Sequence, residues 1–139
     1  MSYRELHVWK LSRGLVVDIH AMTMTCLPRF EMYEEGAQLR RAIKSAKSNI
    51  VEGYGRRRYL KDFIRHLTYA HASCDEANDH LENLHITGSF TDDDLYADLH
   101  RRVEELSKAL SGFIGAIERR RTRAHDRANE NDLENTLDT

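Results

Sequence analysis

The sequence predicts an all-α protein: an antiparallel up-down-up-down bundle of four helices over residues 1–123, followed by a polar tail over 124–139. Three observations point there. Apolar residues recur at alternating spacings of three and four in four separate segments, the period of one face of a helix. No segment shows the strict apolar/polar alternation of a strand. The connections are short, which makes successive helices antiparallel neighbours.

Ser2 followed by Glu5 is a capping box, in which hydroxyl and carboxylate satisfy the free amides of a first helical turn. The first helix should run to about Cys26 and shows two apolar faces. Val8, Leu11, Leu15, Ile19 and Met22 form one; Leu6, Trp9, Val16, Val17 and Met24 form the other. A lone bundle needs only the first, so the second suggests association with copies of the same chain; the other reading is a helix sunk deeper into its own bundle. Leu27-Pro28 stops this helix, because proline has no amide to donate and disfavours helical geometry in the residue before it.

The second helix should begin near Met32 to Glu35 and run to Glu52. Leu39, Ile43, Ala46, Ile50 and Gly53 gather on its core side, and Arg40, Lys44 and Lys47 line up one position over. Gly53 and Gly55 are expected to close it through a left-handed turn. In the third helix Leu60, Phe63, Leu67, Ala70, Cys74, Ala77, Leu81 and Leu84 make a long bundle seam. Thr87-Gly88-Ser89 breaks it. Thr91 with Asp94 then reads as a second capping-box-like start, opening a helix with the stripe Leu95, Leu99, Val103, Leu106, Leu110, Phe113 and Ile117. Beyond Arg123 the periodicity fades and few apolar side chains remain, so the tail is expected to be disordered.

The formal charge of −2 hides a segregation along the chain. From Gln38 to Arg65, Arg40, Arg41, Lys44, Lys47, Arg56, Arg57, Arg58, Lys61 and Arg65 face only Glu52 and Asp62, a net of +7. From His71 to Glu105 ten carboxylates face Arg101 and Arg102, a net of −8. A rigid bundle should therefore carry a basic end and an acidic end. The start lacks a signal-peptide pattern and no apolar run approaches the ~20 residues that a bilayer needs, so a cytoplasmic protein with no membrane contact is expected. Cys26 and Cys74 form no C-x-x-C pair and read as two buried free thiols.

The stretch Gln38-Leu39-Arg40-Arg41-Ala42 through Ser48-Asn49-Ile50-Val51-Glu52-Gly53 resembles the central motif of small bacterial four-helix-bundle proteins associated with intervening sequences in 23S ribosomal RNA genes. Leu6, Trp9, Leu27-Pro28, Glu31, Tyr33, Phe63, Leu67, Ala70, Ser73 and Glu76 extend the similarity over roughly residues 3 to 120. Lys47 stands where that family often has proline. The resemblance implies a homo-oligomer, pentameric in relatives, with a suspected role in nucleic-acid binding and no known catalysis.

The basic segment is the strongest functional candidate. Arg40, Arg41, Lys44, Lys47, Arg56, Arg57, Arg58 and Lys61 could neutralise several backbone phosphates of RNA or DNA at once, with Tyr54 and Tyr59 beside the Arg-Arg-Arg turn to stack on unpaired bases. The alternative is a solvated face whose charges pair with carboxylates of neighbouring helices. Asn49, Glu52, Gly53 and Glu76 read as structural groups of the motif, with Glu52 pairing an arginine. No nucleophile stands beside them, so no enzyme is expected. Of the paired Glu-x-x-His motifs a di-iron bundle needs, only Glu82 to His85 is present, so no metal or cofactor is expected. A protein-interaction scaffold is the rival reading. Accessory proteins of reverse transcriptases have a similar bundle, so one version has a nucleic-acid enzyme as partner.

Overall fold

The computed structural model describes residues 1–137. Four long helices make up the fold: α1 (His7–Thr25), α2 (Glu35–Gly55), α3 (Leu60–Ile86) and α4 (Asp93–Leu137), with 3-10 turns at Tyr3–Glu5 and Arg29–Met32. Each helix packs on its neighbours in sequence and α1 also packs on α4, which closes a square. Cross-helix contacts run in opposite senses. Along α2 and α3, Glu35 meets His80, Ser45 meets Ser73 and Asn49 meets His66; along α3 and α4, Glu82 meets His100, His71 meets Ser107 and Phe63 meets Phe113.

The four expected seams form the core. Leu15, Ile19, Leu39, Ile43, Ile50, Leu67, Leu81, Leu99, Leu106 and Leu110 are sealed from solvent. Only the inner stripe of α4 is buried, and it stops at Ile117. Phe90, in the α3–α4 connection, joins them with its amide on the Leu84 carbonyl at 2.9 Å. Gly88, at φ 78°, makes that reversal; among the described residues no other has a positive φ.

Several local expectations are corrected. Gly53 and Gly55 do not terminate α2 in a left-handed turn; both are helical, and Arg56, the residue after the helix, caps it at negative φ. Gly53 is buried because α3 comes close: a Cβ there would lie 3.1 Å from His66 Cβ and 3.3 Å from Phe63 Cδ1. The Ser2–Glu5 box is present but caps the first 3-10 turn, and Leu6 breaks to extended geometry before α1 begins. Asp92 caps α4, its Oδ1 accepting the Leu95 amide at 3.0 Å, in place of Thr91 with Asp94.

The second apolar face of α1 is largely covered. Leu6 turns into the core and Trp9 packs edge-on against Tyr3, leaving Val17 and Met24 exposed. Cys26 is exposed because α1 stops one residue before it. Cys74 is buried, and burial, with Asp75 nearby, pushes its thiol up to about 12. Both are free thiols.

Residues 124–137 are helical rather than disordered. They are exposed throughout, as their composition implies, but no proline or glycine interrupts them and α4 reaches them already nucleated by its packed portion. Residues 138 and 139 of the expected tail lie outside the described residues.

A backbone contact fixes the start of α2. A Cβ on Gly36 would lie 2.5 Å from the Glu31 carbonyl oxygen, closer than any rotamer change relieves. Overpacking costs roughly 1–3 kcal/mol, and a rigid backbone neighbour places this site in the upper half; the helix gain of alanine over glycine returns up to ~1 kcal/mol. Gly36→Ala should lose about 1–2 kcal/mol of unfolding free energy in urea titration, with the denaturant slope unchanged.

Candidate nucleic-acid interface

The cations of α2 divide by register into three groups. Arg40 is half-buried and spent on the fold: its guanidinium donates to Thr23 Oγ1 at 2.8 Å and to the Met32 carbonyl at 2.7 Å, tying α2 to the end of α1 and to the 3-10 turn. Lys47 lies over the Trp9 ring at 5.5 Å. Both therefore face α1 and neutral groups. Arg41 and Lys44 project from the outer face, exposed, and no ion pair reaches either among the described residues.

The turn from α2 to α3 carries the second cluster. Arg56 is paired, 3.0 Å from Glu52 and 3.9 Å from Asp62, which bears out the expected Glu52–arginine contact and removes Arg56 from the free cations. Arg57 stacks over Tyr54 at 4.2 Å and donates to its carbonyl at 3.0 Å. Arg58 lies 5.9 Å from the Tyr59 ring centre. Lys61 is exposed, with no ion pair among the described residues. Tyr59 is open to solvent, whereas Tyr54 is half-buried and donates its hydroxyl to the Met1 carbonyl at 2.8 Å.

Two further residues of the motif, Asn49 and Glu76, make polar contacts. Asn49 donates to the Ser45 carbonyl at 3.0 Å and its Oδ1 lies 3.2 Å from His66 Nδ1, so it spans the α2–α3 seam. Glu76 is exposed, its carboxylate 3.5 Å from His80 Nε2.

Sequence reasoning passed over a third cluster. Arg119, Arg120, Arg121, Arg123 and Arg127 sit on the exposed length of α4, and no ion pair reaches them among the described residues. Arg120, Arg123 and Arg127, at spacings of three and four, line one face of α4 beside Leu60 at the start of α3. Arg120 also shares a cleft with Arg57 and Arg58. The run was visible in the sequence as Arg-Arg-Arg-Thr-Arg, but only a continuous α4 fixes it in space.

A protein family described as 23S rRNA-intervening sequence protein matches residues 4–112. The chain belongs to that family. A solved structure from Bacteroides thetaiotaomicron, described as a protein of unknown function from the S23 ribosomal protein family, shares the fold: TM-score 0.70 and 24% identity, covering 78% of this chain and 95% of that one. Comparison with curated proteins returns no match. The segment shared with the 23S rRNA-intervening sequence proteins contains the cations of α2 and of the α2–α3 turn, whereas the arginine run of α4 lies beyond it. No described helix is long and apolar enough to cross a membrane.

At the opposite end of this bundle the connections α1–α2 and α3–α4 meet, and the charge reverses. Glu31, Glu34 and Glu35 share a groove with Asn83 and Thr87, and Asp92, Asp93 and Asp94 open α4 nearby. Burial raises the Glu35 carboxyl, but its contacts with His80 Nδ1 and Asn83 Nδ2, both 2.9 Å, outweigh burial and hold it below its ordinary value of 4.5. A depressed carboxylate stabilises the fold fully above its unfolded value and loses that contribution as pH falls through the folded one. Glu35→Gln should cost about 1–2 kcal/mol near pH 7, and its gap from wild type in urea unfolding should narrow as pH drops below 4.5.

Proposed function

We propose that this member of the 23S rRNA-intervening sequence proteins is a non-enzymatic, homo-oligomeric bundle that binds RNA or DNA through charge, with little base specificity. One observation carries the reading. Arg41 and Lys44 on α2, Arg57 and Arg58 in the turn that follows it and Lys61 at the start of α3 have no carboxylate partner among the described residues. Cations left unneutralised on a rigid frame bind a polyphosphate by releasing its counterions, whatever the base sequence. The family's description, which names an intervening sequence of 23S rRNA, supports a nucleic-acid setting.

Relative to the sequence-based candidates, Arg40 and Arg56 leave the binding set because they are bonded to Thr23 and Glu52, and Lys47 leaves it because it lies half-buried against Trp9, whereas Arg57 and Arg58 stay exposed. Self-association draws support from Val17 and Met24, which stay 52% and 43% exposed on the outer side of α1. An oligomer repeats the cationic surface around its axis and strengthens the field on a polyanion. A second reading, a scaffold or accessory subunit for a nucleic-acid enzyme such as a reverse transcriptase, is favoured by Phe30 and Tyr33, exposed at 62% and 73% beside the acidic end.

Binding of labelled oligonucleotide across a salt series tests the main reading. Each phosphate contact contributes a slope of about 0.7 for single strands in log affinity against log salt. Replacing Arg41, Lys44, Arg57, Arg58 and Lys61 together with glutamine should weaken binding and flatten that slope by up to about 3.5. Binding that ignores salt, or that survives the five replacements, excludes the reading.

A further inference from the structure

At the basic end of the bundle, four parts of the chain surround a cleft of about 580 Å³. Its floor is apolar, made by Leu6, Phe63 and Phe113, with the two phenylalanine rings edge-to-face at 5.5 Å. Its rim is cationic: Arg57 and Arg58 come from the α2–α3 turn and Arg120 from α4. Tyr54 forms one wall, fixed by its hydroxyl on the Met1 carbonyl at 2.8 Å and by edge contact with Phe63 at 6.4 Å. No carboxylate lines the cleft among the described residues. Its volume falls within the ~300–1,000 Å³ of small-ligand pockets.

We propose that this cleft receives one unpaired nucleotide of a single-stranded nucleic acid, an inference that rests on the polyanion reading above and adds a base-binding subsite to it. The chemistry is specific to that ligand. Arg57 already stacks on Tyr54 at 4.2 Å, so one guanidinium face is occupied by the ring and the other is left for a base, which stacks on guanidinium and aromatic planes alike. Arg58 and Arg120 take the phosphates on either side. Arg120, Arg123 and Arg127 then continue as a row along α4, rising roughly 1.5 Å per residue, and carry the strand away from the bundle. A duplex keeps its bases stacked inside and cannot present one to the cleft. An acidic protein segment satisfies the arginines but leaves the apolar floor without a planar partner.

The test compares a 12-nucleotide thymine strand with an abasic strand of the same length and charge, by fluorescence anisotropy on the full chain. Wild type should bind the base-bearing strand about 10-fold more tightly, as stacking of one base provides. The double variant Arg57→Gln/Arg120→Gln, altered only at exposed positions, should bring the two affinities within about 2-fold while keeping salt-dependent binding through Arg41, Lys44 and Lys61. Equal affinities in wild type overturn the subsite and leave the electrostatic reading standing. A base preference that persists in the double variant places base recognition elsewhere and also overturns it. Failure of wild type to bind either strand removes both readings. Low-salt self-association abolished by the double variant, without base preference, assigns the cleft to the acidic end of a second copy and overturns the proposal.

Discussion

The close approach of α2 and α3 sets the geometry of the molecule. Ala46, Gly53, Ala70 and Ala77 put little or nothing between the two backbones, and α3 lies within van der Waals reach of a missing Cβ at Gly53. Beside this apolar seam runs a polar one. Ser73 donates to Ser45 at 3.1 Å, Asn49 meets His66, and Glu35 meets His80 and Asn83. Small residues alone would tolerate sliding, but half-buried polar groups must find their partners, so the ladder fixes the register. That register holds the α2–α3 turn at one end of the bundle and Glu35 at the other.

Charge then follows from position. The antiparallel arrangement brings the chain start, the α2–α3 turn and the outgoing α4 to the same end, and this end holds the unpaired arginines of the turn and of α4. The α1–α2 and α3–α4 connections, rich in carboxylates, share the other. Along α2 a single residue step decides whether a cation is structural or available. Arg40 reaches Thr23 and Met32, whereas Arg41, one residue on and about 100° round the helix, faces solvent.

The four seams were legible because burial imposes the helical period on the sequence, and every inner position from Val8 to Ile117 is buried or half-buried accordingly. The charge segregation was equally plain. Less legible was which cation is free, since Arg40 and Lys44 share a spacing and differ only in what faces them. The α4 arginines were undervalued for a related reason. Loss of apolar periodicity after Ile117 shows that the helix leaves the core, not that it ends, and with no proline or glycine in its path it continues to Leu137. Gly53 misled because glycine serves both turns and close packing, and only the position of Phe63 and His66 on α3 separates the two uses.

The decisive measurement is an NMR titration of the full chain with a short single-stranded oligonucleotide, followed through backbone amides and arginine side chains. If the unpaired cations hold the ligand, shifted resonances cluster at residues 54–61 and 119–127 and extend to Arg41 and Lys44, while residues 91–98 stay in place. Shifts centred on Val17 and Met24 or on the acidic end, or spectra that do not change, contradict a cationic end built for a polyanion.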